Sequence, residues 1–359
     1  MRAKKVMSIV MTGILACALF GASSVAVFAD EESAKAESMT SDEASAAISE
    51  IYEADNSDIK IGYTLMTYNM QFFQDMTAQA RATAAELGVT LVENDGKLDV
   101  TEQANGVDDM IARGVDALYL NPVDGDAIGG SVLLANAEGI PVITVDVRAG
   151  DGEVEAHVSS DNIAIGKAAA EAAVQYIKEK NGSESGKVYV LGFDPASTLR
   201  DRAAGFIEYM EDYPEIETVF DQVTELSTEA SLSKMESALQ TYGEGQLDVV
   251  FGANETNAVG VVSAATNANR SDFIVIGVDD SPVLNEMLED PDSIYYASVV
   301  QEPMTMGKLG VELCVAAANG IDMPADYVAT TLQTITKDTI GEYLEKLDAI
   351  RADLKDYYD

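Results

Sequence analysis

From residue 59 onward the chain alternates short apolar runs with longer amphipathic stretches, and no other feature limits its fold as much. The apolar runs fall at residues 59–66, 89–93, 117–121 and 141–146, then at 187–192, 218–222, 248–252, 273–279 and 296–300. Amphipathic segments at 72–87, 101–113, 163–180, 197–209 and 229–242 lie between them. Continuous apolar strands alternating with helices mean parallel sheets covered on both faces. Several helices stop at glycine, as in Leu87-Gly88, Arg113-Gly114, Glu138-Gly139 and Asn319-Gly320, the signal of a left-handed residue closing a helix. About nine strands is too many for one compact sheet of this type. The chain therefore reads as α/β, with two doubly wound, Rossmann-like lobes. A TIM barrel is the competing arrangement of the same alternation.

A repeated spacing supports two lobes. Asn121 closes the run Ala-Leu-Tyr-Leu, and Asp146 closes Val-Ile-Thr-Val 25 residues later. Asn254 follows Val-Val-Phe-Gly-Ala, and Asp279 closes Val-Ile-Gly-Val, again 25 residues later. Each half thus offers an Asn and an Asp at the carboxyl ends of successive strands, where ligands bind in open α/β sheets. Each of these residues alone also suits a helix N-cap or a turn. Their repetition as a pair favours a ligand site.

Charge and composition remove whole classes of function. Lys and Arg number 22 against 62 Asp and Glu, a net charge of −40. A phosphate backbone would be repelled, so nucleic acid is excluded as a partner. Mean hydropathy is +0.02 and 47% of residues are apolar, so the charge sits on a chain able to fold. Two Cys and one His cannot build a disulfide framework or a Cys/His zinc site. No glycine fingerprint of a dinucleotide fold, no P-loop and no nucleophile elbow occurs. Asp95 and Asp99 flank Gly96, but the alternating ligands and closing Glu of a calcium loop are missing. The lone His157 reads as a surface or turn residue, and Cys314, in Glu-Leu-Cys-Val-Ala-Ala-Ala, as a buried inert thiol. No metal, cofactor or catalytic residue is expected.

The N-terminus reads as a processing signal. Arg2, Lys4 and Lys5 precede an apolar stretch from Val6 to about Ala22, and Val27-Phe28-Ala29 forms an A-x-A-like cleavage site. Residues 1–29 are therefore expected to be a signal peptide. An uncleaved anchor, or a lipid on Cys17 in the partial box Ile14-Leu15-Ala16-Cys17, is the alternative. Cleavage removes three basic and no acidic residues, leaving a net charge of −43 and Cys314 as the single thiol. Residues 30–58 hold ten acids and one Lys and read as a mostly solvated spacer, with 44–52 able to form a helix.

The whole body, from Ile59 to Lys337, resembles the periplasmic binding proteins of sugar ABC transporters, the ribose/galactose type. The resemblance lies in Thr67-Tyr68-Asn69-Met70-Gln71-Phe72-Phe73, Ala117-Leu118-Tyr119-Leu120-Asn121-Pro122-Val123-Asp124 and Pro141-Val142-Ile143-Thr144-Val145-Asp146. It continues in Ser160-Asp161-Asn162, Ser197-Thr198-Leu199-Arg200-Asp201-Arg202-Ala203-Ala204-Gly205-Phe206, Asn254-Glu255, Gly277-Val278-Asp279 and Gln301-Glu302-Pro303. Each segment alone is unspecific; all of them in this order are not. The resemblance implies that Phe72 and Phe73 flank a sugar ring, with Asn69 in the same loop. It implies that Asn121 and Asp146 bind hydroxyls from one lobe, Arg202, Asn254 and Asp279 from the other, and Gln301 from a crossover. Ring faces suit aromatic walls, and hydroxyls need groups that both donate and accept. Asp161 is expected to cap the following helix.

Three positions depart from the ribose pattern. Met70 stands where a polar residue would reach the ligand. Val147 stands where an Arg would follow the first-lobe Asp, and Arg148, one position late, is the candidate ligand-binding residue in its place. Leu226 stands where an aromatic would line the second lobe. A ligand with fewer hydroxyls, or a furanosyl one, fits these changes.

The resulting expectation is an exported, monomeric, non-enzymatic receptor that delivers a small sugar to an ABC permease. Residues 59–160 with 302–330 would form the N-terminal lobe, 161–301 with 331–337 the C-terminal lobe, and 338–359 a closing helix. Three strand crossings would form the hinge, with the ligand in the cleft. A sensory module presenting ligand to a membrane receptor has the same binding chemistry. A secreted glycosidase would need two opposed carboxylates, for which Asp146 and Asp279 are available. A repressor of the same fold would need a DNA-binding headpiece, and none is seen.

Overall fold

The computed structural model describes residues 36–194 and 196–358, and side chains from residue 38. The expected signal peptide and the alternative anchor at Cys17 lie outside the described residues. The described chain enters on strand β1 (Ala36–Thr40), helix α1 (Ser41–Ala47) and a 3₁₀ turn (Ser49–Tyr52). Next come β2 (Lys60–Leu65), α2 (Gln71–Leu87), β3 (Thr90–Asp95), α3 (Val100–Ala112), β4 (Ala117–Leu120), α4 (Gly129–Ala137), β5 (Val142–Val145) and β6 (Ala156–Ser160). The second lobe runs through α5 (Asn162–Asn181), β7 (Gly186–Gly192), α6 (Ser197–Met210), β8 (Ile216–Gln222), α7 (Thr228–Thr241) and β9 (Val249–Gly252). It continues through α8 (Glu255–Asn267), β10 (Ile274–Val278), α9 (Pro282–Glu289) and β11 (Tyr295–Val300). The chain returns for α10 (Pro303–Ala318) and β12 (Ala325–Thr330). It then crosses back for β13 (Gln333–Thr336), α11 (Ile340–Asp353) and a last 3₁₀ turn (Lys355–Tyr357).

Two open sheets result, ordered β1-β12-β6-β5-β4-β2-β3 and β13-β11-β10-β9-β7-β8. This is the two-lobed α/β arrangement, not a closed barrel. All pairings are parallel except β11 with β13, which is antiparallel. The central strands β4, β5, β9 and β10 are buried along their whole length, as strands covered by helices on both faces must be. Gly88, Gly114, Gly139 and Gly320 all take left-handed φ between 68° and 76° at helix ends, where a Cβ would be strained. Asp161 caps α5 by accepting from the Ala164 N–H at 2.9 Å.

Two expectations need correction. Residues 36–52, expected to be solvated spacer, fold onto the first lobe. Strand β1 pairs with β12, and Ala44, Ile48 and Ile51 are fully buried. These three recur at helical spacing inside an acidic segment, and Thr40 and Glu43 start α1 with a reciprocal capping box. Burying each Ile contributes roughly 1.5–3 kcal/mol, enough to hold a short element that composition alone would leave in solvent. His157 is likewise not a surface residue. It lies buried in β6, hydrogen-bonded to Thr144 at 2.9 Å and stacked on Tyr327. Burial, then the Arg148 charge, push its pKa down to about 3. The polar sequence Ala-His-Val-Ser-Ser hides a fully buried strand because its polar groups find partners inside, as in the Ser160–Thr330 hydroxyl pair.

Candidate functional site

The carboxyl ends of the strands in both lobes converge on one group of polar side chains. In the first lobe Asp146 follows the last residue of β5 with φ at 63°, its N–H bonded to the Val158 carbonyl of the neighbouring strand. Asn121 follows β4 and is completely buried. Its Oδ1 accepts from the Met66 N–H, and its Nδ2 donates to the Val145 carbonyl and to Asp146 Oδ2 at 3.2 Å. Both amide hydrogens are thereby used. Asn121, expected to bind hydroxyls itself, instead fixes the loops that carry Asp146 and Met66. Gln103 on α3, which the sequence reading missed, holds the same turn by donating to the Asn121 carbonyl and accepting from the Val123 N–H.

The loop before α2 carries Asn69, which is exposed, and Met70, exposed at the helix N-cap. Phe72 and Phe73 meet edge to face with ring centroids 5.1 Å apart. Phe73 is packed into the first lobe's core, while Phe72 keeps part of its surface accessible. Of the two expected walls, Phe72 is the one the structure presents. Arg148 is exposed, and its charge acts on His157 and Tyr327 rather than on Asp146.

In the second lobe Arg202 is 4% exposed on α6. Its Nε donates to Asn162 Oδ1 at 2.9 Å and one terminal nitrogen to the Ala253 carbonyl at 3.0 Å. Helices α5 and α6 approach closely enough to set this guanidinium only because Gly166 and Gly205 lack a Cβ. One added at Gly166 would lie 2.0 Å from the Arg202 carbonyl, and one at Gly205 2.2 Å from that of Ile163. Asn254 caps α8, its Oδ1 accepting from the Asn257 N–H and the Thr256 hydroxyl. Asp279 follows β10 with φ at 82°. Its carbonyl accepts from the Ser298 hydroxyl, itself bonded to Tyr295, and its Oδ1 accepts from Gln301 Nε2 at 2.6 Å. Gln301 is 7% exposed, and its Oε1 has no hydrogen-bond partner. A buried acceptor without a donor is costly.

The two halves sense each other electrostatically. Burial pushes the Asp146 carboxyl up to about 6; Arg202 and the Asn121 bond oppose this, and Asp279 adds to it. Glu255, at the start of α8, is also raised, by burial and by Asp279, against a bond from Ser281. Arg202 and Asp279 belong to the second lobe and Asp146 to the first, so these charges act across the cleft. The Arg202 charge acts on Asp146, and the Asp279 charge acts on both Asp146 and Glu255. Such a set accepts many hydroxyl hydrogens and repels anions. Among the described residues no group of three or more His, Cys, Asp or Glu side chains is arranged to hold a metal ion.

Comparison with known proteins agrees with the two-lobed α/β fold. A family model described as "Periplasmic binding protein domain" matches residues 61–322. The ribose import binding protein of Bacillus subtilis is 32% identical over 255 residues, 71% of this chain and 80% of the relative. That of Escherichia coli is 31% identical over 74% of this chain and 87% of its own length. Among solved structures, an ABC transporter solute binding protein from Mycobacterium smegmatis with bound glycerol superposes with a TM-score of 0.70 at 28% identity, covering 79% of this chain and 96% of that one. A carbohydrate transporter solute binding protein from Agrobacterium radiobacter in complex with D-arabinose gives 0.71 at 25% identity, covering 82% and 99%.

Proposed function

The chain belongs to the periplasmic binding protein family, and from that premise we propose that it captures a small, neutral, sugar-like ligand outside the cytoplasm and delivers it to an ABC permease. Lobe closure does the capturing. Asp146 accepts hydroxyl bonds from one side, and Arg202, Asp279 and the Nδ2 of Asn254 engage the ligand from the other. Gln301 supplies its free Oε1 from the crossing, and Phe72 covers a ring face. The observation that carries this reading is Asp146 lying within the electrostatic reach of Arg202 and Asp279 across the cleft.

The ligand carries fewer hydroxyls than ribose, or presents them differently. Arg148 points its charge elsewhere, and Met70 and Leu226 are exposed apolar residues where the ribose pattern has polar and aromatic ones. A deoxy sugar or a furanosyl compound meets those demands. The protein binds without turnover and acts as a monomer, exported by a leader cleaved after Ala29.

A thermal-shift screen over pentoses, deoxy sugars, furanosides and polyols tests the reading. A ligand at ~100-fold its Kd adds about 2.7 kcal/mol to stability. Stabilisation by anionic sugars alone, or hydrolysis of a chromogenic glycoside panel, would overturn it.

A further inference from the structure

The C-terminal segment is rooted in the second lobe and grips the first. Its start is held where Lys337 Nζ donates to the carbonyls of Asp290, Pro291 and Ser293. Ile340, Tyr343 and Leu344 then pack into a second-lobe core cluster. Beyond that point its contacts change lobe. Arg351 donates from Nε and a terminal nitrogen to both oxygens of Asp75 on α2, at 3.2 and 2.7 Å. The Tyr358 hydroxyl donates to the same carboxylate at 2.6 Å, and Arg81 of α2 donates to the Tyr357 carbonyl at 2.8 Å. Asp75 is 1% exposed. Here an almost fully buried carboxylate of one lobe takes its charge partner from the other. The bonds are charge-assisted and mostly shielded from water, the class with most strength.

Both ends of this link adjoin the ligand cleft. Asp75 lies one helical turn beyond Phe72 on α2. Asp280 is the neighbour of Asp279, and Arg351 of the segment reaches to 3.9 Å of its Oδ2. Opening the cleft by moving α2 away from the loop of Asp279 and Asp280 would break the Arg351 and Tyr358 bonds to Asp75.

We propose that residues 340–358 form a strap, a noncovalent fourth tie between the lobes beside the three chain crossings, and that it sets how far and how often the cleft opens. The inference rests on the lobe-closure reading above. The strap biases the ligand-free equilibrium toward the closed form. Ligand binding then has less ordering left to do, and release requires Asp75 to lose Arg351 and Tyr358 while keeping Gln71 of its own helix.

The test measures lobe separation in the ligand-free full chain, by electron–electron double resonance between nitroxides placed at Glu102→Cys on α3 and Glu236→Cys on α7, both exposed positions. Arg351→Ala is expected to raise the ratio of long to short distances roughly ten- to a hundredfold, the worth of charge-assisted buried bonds. Arg351→Lys, which keeps the charge and one bond, is expected to fall between. Tyr358→Phe, too mild to unfold the chain, is expected to shift the ratio the same way by a smaller factor. An unchanged distance distribution in Arg351→Ala with a cooperative melt, or in Tyr358→Phe should the first variant not fold, would overturn the strap. Adding D-ribose, D-arabinose, 2-deoxy-D-ribose, a methyl furanoside and glycerol to the doubly labelled protein with its strap intact reads the other question separately. If none narrows the distances, sugar capture fails while the strap stands on the ligand-free comparison.

Discussion

Asp146 and Asp279 are the same residue in two places. Each stands one position past the end of a buried strand, each has a left-handed φ, 63° and 82°, and each donates its N–H to a carbonyl on the next strand, Val158 or Val299. Positive φ is unfavourable for a residue with a Cβ and is tolerated best by Asn and Asp. Both lobes hold a strained carboxylate at the same point of their sheets, aimed at the same cleft.

Replacing either Asp by Gly separates the two consequences. Asp146→Gly and Asp279→Gly relieve the strain but strip the buried Asn121 and Gln301 amides of an acceptor, so ligand-free stability should change by no more than about 1 kcal/mol. Each also leaves ligand hydroxyls unpaired and should weaken binding roughly 30- to 1,000-fold. Calorimetric titration with the ligand found by screening, beside melting curves, measures both. Normal binding by either variant would move the site elsewhere.

The two arginines nearest the first-lobe carboxylate in sequence and in space should behave oppositely. Arg202→Lys keeps the charge but breaks the fork that bonds Asn162 and the Ala253 carbonyl, and binding should fall at least tenfold. Arg148→Ala should leave affinity within about twofold, since surface substitutions usually cost within ~0.5 kcal/mol. A large loss in the Arg148 variant would refute its assignment to the outside of the cleft.

Asn121→Ala is expected to act on the fold. It strips partners from the Met66 N–H and the Val145 carbonyl inside a fully buried site. A loss of about 2–4 kcal/mol of stability should result, visible in urea melts of the ligand-free protein. A variant that melts normally and merely binds weakly would restore Asn121 as a ligand contact.

Acidity should stabilise the ligand-free protein in one window. Burial, together with Asp75 and Asp279, raises the Asp280 carboxyl from 3.8 to about 7 against Tyr343 and Arg351; Asp146 is raised to about 6. Between these values and the unfolded pKa the native state binds more protons than the unfolded chain. Stability from these groups is thus complete below about pH 4 and is lost as pH climbs through 6 to 7. Asp272, lowered to about 2 by its Arg270 bond, titrates below that window. Asp280→Asn should flatten the slope and recover at most about 4 kcal/mol at pH 8, at 1.4 kcal/mol per unit. Melting temperatures across pH 4 to 8 that do not differ between the two proteins would contradict this.

Export predicts a mature chain starting at Asp30. Intact-mass analysis of secreted protein should find it; a diacylglyceryl group on Cys17 would show a lipoprotein instead.

The period of the apolar runs determined the lobes without help. A buried parallel strand must be apolar throughout and a covering helix amphipathic, so both leave marks a few residues long. The Asn/Asp repeat located the strand ends for the same local reason. What each polar residue does there was decided by tertiary structure. Asn121 and Asp146 look equivalent in sequence. One faces three protein groups and the other the opposite lobe, because that depends on which strands are neighbours and how the sheets meet. Phe72 and Phe73 are adjacent and alike, and the turn of α2 alone sends one into the core. His157, the folded N-terminal segment and the Asp75–Arg351 link escaped notice because their partners lie far away in the chain. Tyr327 stacks on the first, Glu312 receives Ser45 and Tyr52 in the second, and 276 residues separate the third pair. Sequence pattern records the energetics of near neighbours, whereas a buried polar group is made stable by whichever partner the fold brings to it.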